Sequence, residues 1–160
     1  MAVDLTDAEI RRLIEVPKRL PDNYEKRLSR VRKSRQHEQS NVEVASPDGQ
    51  FVVMLRQNTI NRFDFSAILG YRLPASNRVF RLRRYNGRHR HTNKLERETI
   101  EGFHIHEATE RYQARGPRED AFAWVADNYG TLNEALECLF RDCNVRRPLD
   151  TTQGTLPFDR

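Results

Sequence analysis

The sequence is poor in cysteine, with two in 160 residues, Cys138 and Cys143. Two cysteines in no metal-binding spacing give neither a disulfide framework nor a Cys-based zinc site, and they fit a reducing compartment. Long apolar runs are also missing, so no stretch reaches the length needed to cross a bilayer. The opening MAVDLTDAEIRR lacks the apolar core of a secretory leader. The expected address is cytoplasmic, with no membrane partner. There is no internal repeat. One absence is local: from 78 to 94 there is no Asp or Glu, while seven Lys or Arg residues are present.

What is there is polar and basic. Lys and Arg number 28 against 23 Asp and Glu, a formal net charge of +5, and 37% of residues are hydrophobic. This describes one compact domain with a real core. Clustered arginine favours polyanions, because the guanidinium grips phosphate through a planar fork and displaces condensed counterions. Nucleic acid is therefore the expected partner, RNA ahead of DNA.

Element signals follow in order. Thr6 and Glu9 form a capping-box pattern ahead of a stripe of Ile10, Leu13 and Ile14, which Pro17 ends. A second helix is expected from Asp22 or Asn23, with Tyr24, Leu28 and Val31 on one face and Lys26, Arg27, Arg30, Lys33 and Arg35 around the rest. NVEVAS, Pro47-Asp48-Gly49 and QFVVMLRQ read as strand, turn, strand. FDFSAILGYRL places Phe63, Phe65, Ala67, Leu69, Tyr71 and Leu73 on one parity of a strand. RVFRLRRYN is a further strand, with Phe80 and Leu82 inward and Arg81, Arg83 and Tyr85 outward. GFHIHEATERY follows, with Phe103 and Ile105 inward and His104 and His106 on the other face. EDAFAWVADNY reads as a short helix or irregular cover. Thr131 and Glu134 form a second capping box, before a stripe of Leu132, Ala135, Leu136, Leu139, Phe140 and Cys143.

The expected fold is α+β: a single domain with an antiparallel sheet of about five strands, covered on one face by helices. Residues 1–40 form a basic helical N-terminal segment, 41–145 the core, and 146–160 an extended tail.

Four of the five histidines stand in two H-x-H pairs, His89 with His91 and His104 with His106. On a strand, residues two apart point the same way, so each pair presents two imidazoles side by side. Histidine titrates near neutrality and serves as general acid or base, while nearby arginines stabilise charge building on a phosphate. The candidate catalytic residues for a metal-independent ribonuclease are His91, His104, His106, Glu110 and Tyr112. Arg81, Arg83, Arg84, Arg88, Arg90, Lys94 and Arg111 are the candidate nucleic-acid contacts. No cofactor is expected. The alternative is a histidine metal site on His89, His91, His104 and His106, since neutral imidazole is a common ligand.

The run Arg84, Tyr85, Asn86, His89, His91, then Phe103, His104, His106, and finally Ala135-Leu136-Glu137 resembles the TumE-like toxins of bacterial toxin–antitoxin modules. The resemblance covers about residues 78–140 and lacks that family's proline and adjacent His-His before the second cluster. It implies a growth-inhibiting protein neutralised by a partner antitoxin. Residues 1–145 also resemble a bacterial domain family with no assigned function. In the tail, Gln153, Leu156 and Phe158 resemble the short peptides that dock on the bacterial sliding clamp. That supports the alternative of a non-enzymatic DNA-binding adaptor of a mobile element or replication system.

Overall fold

The computed structural model describes residues 3–148. In chain order the elements are α1 (Asp7–Glu15), β1 (Lys18–Arg19), α2 (Tyr24–Ser29), β2 (Arg32–Ser34), β3 (His37–Ser46), β4 (Gly49–Asn58), β5 (Phe65–Arg72), β6 (Val79–Asn86), β7 (His91–Asn93), β8 (Glu98–Ile100), β9 (His104–Glu107), α3 (Glu110–Arg115), β10 (Phe122–Val125), α4 (Leu132–Asp142) and β11 (Val145–Arg146).

The sheet corrects the expected architecture. It has nine strands rather than about five, in the order β10-β9-β6-β5-β4-β3-β1-β11, with β2 paired to β3. It is mixed, because β1 and β11 run parallel while the other pairs are antiparallel. The extra strands are short, two to four residues each, too brief to leave a period-two signature. One of them, β10, lies where a short helix or irregular cover was expected.

Both capping threonines open helices as their spacing predicts, but only Thr6 completes a box; at the second helix Glu134 Oε1 accepts from the Gly130 amide instead of the Thr131 amide. Thr6 Oγ1 accepts from the Glu9 amide and Glu9 Oε1 from the Thr6 amide, while Thr131 Oγ1 accepts from the Glu134 amide. The second helix is much shorter than expected. The Ser29 hydroxyl donates back to the Glu25 carbonyl at 2.7 Å, competition that weakens a helix end. The chain beyond it turns into β2, which pairs residue for residue with the start of β3.

Pro47 and Asp48 form a two-residue turn between the paired Ser46 and Gly49, and Gly49 adopts φ +141, open to glycine alone at little cost. On β5 the expected parity holds from Phe65 to Tyr71, all buried, but Phe63 lies before the strand and is 48% exposed.

Strand β6 breaks its own alternation. Leu69 pairs with Arg83 and Gly70 with Arg81, so Leu82 is an extra residue at a bulge. Beyond the bulge the faces exchange: Tyr85 is fully buried against α4, its hydroxyl donating to Asp142, and Arg84 points the other way. Arg83 and Tyr85 therefore face the helices, not the open face the simple alternation assigned them.

Helices α1, α2 and α4 pack on one sheet face around Leu13, Leu28, Phe51, Leu69, Phe80, Leu136 and Leu139. Lys18 is buried at the join of the two chain ends. Its ammonium donates to the carbonyls of Ile14, Val16 and Cys143, tying the ends of α1 and α4 together. Burial draws its pKa down to about 8. Among the described residues no helix is long and apolar enough to cross a membrane.

Candidate nucleic-acid interface and histidine cluster

Strand register places the functional side chains on the face opposite the helices. One row across the sheet pairs Gln39, Arg56, Ser66, Asn86 and His104; the next pairs Asn41, Met54, Ile68, Arg84, His106 and Ala123. Arginine dominates the middle of this face. Arg32, Arg56, Arg81, Arg84 and Arg118 line one cavity of about 440 Å3, with Gln39, Asn41 and Ser66 among its polar walls.

The carboxylate of Asp120 is fully buried and close to this basin, its Oδ2 3.1 Å from Arg84 Nε. The two atoms are near but not aligned as a hydrogen bond, and neither has another partner among the described residues. Arg32, Arg81 and Arg118 make no ion pair with any described side chain.

The four paired histidines meet at the β9 end of the same face. Strands β7 and β8 form a separate two-stranded hairpin, and His91 on β7 lies against the rows. Ring centroids are 4.8 Å apart for His89 and His104, 5.6 Å for His91 and His104, 4.5 Å for His91 and His106, and 5.0 Å for His104 and His106. The hairpin joins the sheet edge through side chains. Asn93 donates to the Ala123 carbonyl and accepts from the Ala123 amide, both within 2.9 Å, imitating a neighbouring strand.

Backbone carbonyls set the tautomers, because a carbonyl oxygen only accepts. His104 Nδ1 donates to Gly102, His106 Nδ1 to Asp120 and His91 Nε2 to Ala121, at 2.8–2.9 Å. The Nε2 atoms of His104 and His106 are thus lone-pair acceptors, buried and without a partner among the described residues. Burial favours the neutral form and lowers His104 to about 4 and His106 to about 2, with the nearby Arg84 charge adding to the effect. Desolvation lowers His89 as well, against the pull of Asp64.

The histidines therefore converge, but His104 and His106 are 0% and 1% exposed, covered by the hairpin. A ring so enclosed exchanges protons with a substrate only when β7–β8 moves. The metal reading finds no support in the geometry: among the described residues no group of three or more His, Cys, Asp or Glu is placed to hold an ion.

The remaining candidates separate. Glu110 accepts from the Asp7 amide at the start of α1, and Tyr112 is buried with its hydroxyl on Glu96. Neither joins the histidines. Arg111 pairs with Glu96, and Arg83 pairs with Glu107 on the helix side, stacked over Trp124. Arg88 lies over Phe63 and Phe103, while Arg90 and Lys94 are exposed on the segment that carries the hairpin. Gln153, Leu156 and Phe158 lie outside the described residues.

Arg32, Arg56, Arg118 and Asp120 escaped the sequence reading. Arg56 was within reach, since its parity opposes Phe51, Val53 and Leu55 on β4. Arg118 and Asp120 sit in an irregular loop that carries no periodic signal.

Fold and site together define a single-domain mixed-sheet protein, with helices on one face and a cationic, histidine-edged surface on the other. Residues 5–145 match the model described as a family of unknown function, DUF6978, and the chain belongs to that family. No curated protein and no solved structure matches the chain.

Proposed function

We propose that the protein binds RNA across the open sheet face, with Arg32, Arg56, Arg81, Arg84 and Arg118 holding backbone phosphates. The observation that carries this reading is the shared cavity of five guanidiniums against one buried carboxylate. Keeping that much like charge together costs energy unless a polyanion neutralises it. The face favours RNA over duplex DNA because, among the described residues, its walls are sheet residues and one loop, with no helix set to enter a major groove. A sheet surface of this kind suits splayed single strands.

Cleavage is a separate step from binding. In the closed arrangement His104 and His106 are acceptors out of reach, so turnover requires the hairpin to lift.

The test is binding of a fluorescein-labelled 20-nucleotide RNA, followed by anisotropy, for the wild type and an Arg81→Glu/Arg118→Glu variant. Both residues sit at the cavity wall without a described ion pair, so the variant should melt like the wild type. Loss of binding in the charge-reversed protein supports the reading; equal affinity refutes it. The same RNA is then run on a gel, with and without EDTA, against His91→Ala/His104→Ala. Cleavage that survives EDTA and disappears in that variant assigns acid–base work to the histidines.

A further inference from the structure

The loop between β4 and β5 carries an aromatic residue that the core does not use. Phe63 is 48% exposed, and Ile60 beside it in the β4–β5 loop is 74% exposed. The loop is nonetheless tightly braced. Asn58 Oδ1 accepts from the amides of Ile60 and Asn61, and Asn61 Oδ1 from the amide of Phe63. The Phe63 carbonyl accepts from the Arg88 amide at 2.7 Å. Gly87 makes this approach possible: a Cβ there would lie 1.9 Å from the Phe63 carbonyl oxygen.

The result is a fixed set of planar groups. The Arg88 guanidinium sits 5.0 Å from the Phe63 ring and 5.4 Å from the Phe103 ring, and the two rings are 6.4 Å apart. His89, next in sequence, contacts the His104 ring, which stands in the same cross-strand row as Arg56. Arg88 and His89, adjacent in the chain, therefore join the aromatic pair to the histidine end of the arginine face.

We infer that Phe63 and Arg88 form a stacking subsite for an unpaired base, so that the ligand class of this surface is single-stranded rather than duplex RNA. This rests on the RNA-binding reading above. An exposed ring presents a π-face that any base can cover, and the Arg88 guanidinium over the same ring adds a cation for the ligand's phosphate. Because the loop is already ordered, stacking there loses little conformational entropy. A duplex hides its base faces and gains nothing from the subsite.

The test compares a 10-nucleotide single strand carrying 2-aminopurine, the same strand made abasic, and a 16-base-pair RNA duplex. Phe63→Ala should weaken the 2-aminopurine strand about tenfold and abolish its fluorescence quenching, with the abasic strand and the duplex unchanged. Phe63→Tyr should restore both affinity and quenching, which a folding defect would not allow. Equal binding and quenching by wild type and Phe63→Ala, with binding still lost in Arg81→Glu/Arg118→Glu, overturns the stacking subsite and leaves the phosphate surface standing. No binding of any probe by the wild type overturns both.

Discussion

Salt offers the most direct measure of the arginine basin. Five guanidiniums line it, and Asp120 offsets one of them, leaving about four effective phosphate contacts. Each contact on a single strand contributes about −0.7 to the slope of log affinity against log salt. The expected slope is therefore about −2.8, and affinity falls about 50-fold from about 50 mM to about 200 mM salt. Removing one contact with Arg81→Ala should reduce the slope to about −2.1, a fall of about 20-fold over the same range. Arg118→Ala should behave alike. Arg11→Ala is the control, because α1 packs on the opposite face with Ile10, Leu13 and Ile14 inward. The assay is anisotropy of a labelled RNA titrated at five salt concentrations. A wild-type slope shallower than about −1, or one that Arg11→Ala lowers as much as Arg81→Ala, refutes the assignment of phosphates to this face.

Acid should destabilise the fold through His104 and His106. Their native pKa values lie below the unfolded value, so the unfolded chain takes up protons first and stability falls as pH drops below about 6.5. The loss from about pH 7 to about 4.5 is on the order of 3–5 kcal/mol, measured by urea midpoints. His106→Gln should flatten the profile, and a wild type equally stable at both pH values would contradict the burial argument. Lys18→Met leaves the carbonyls of Ile14, Val16 and Cys143 without their donor. It should cost about 2–4 kcal/mol after the relief of burying a charge is counted; an unchanged melting temperature would show the ammonium to be dispensable. Asn93→Ala should free the hairpin from Ala123, at about 2–3 kcal/mol, and make His104 and His106 react with diethyl pyrocarbonate. Unchanged protection of both rings would mean that other contacts hold the hairpin shut.

Local signals were legible where the chain obeys a single period. The box at Thr6, the N-cap at Thr131, the Pro47-Asp48 turn and the apolar parity of β5 each reflect backbone chemistry within a few residues. Parity failed at Leu82, where one inserted residue turned Tyr85 inward and Arg84 outward, and nothing in RVFRLRRYN marks the insertion. The short strands β1, β2, β10 and β11 exist because distant segments pair with them, as Lys18 pairs with Val145. The two H-x-H pairs advertised imidazoles on one face. Their meeting depended on the hairpin folding back, and their burial on Asn93, whose side chain takes a backbone's place. Glu110 and Tyr112, near His106 in sequence, were carried away by α3.

The imitation of a strand by Asn93 also governs how this sheet can meet other chains. An edge strand ordinarily invites another chain to extend the ladder. At β10 the outward amide and carbonyl of Ala123 and the carbonyl of Ala121 are already occupied by Asn93 and His91. Any chain that adds a strand here must first evict the hairpin, and eviction uncovers His104 and His106. Strand addition and histidine exposure are thus two readouts of one equilibrium: whatever lifts the hairpin from the histidines raises affinity for an incoming strand by the same factor.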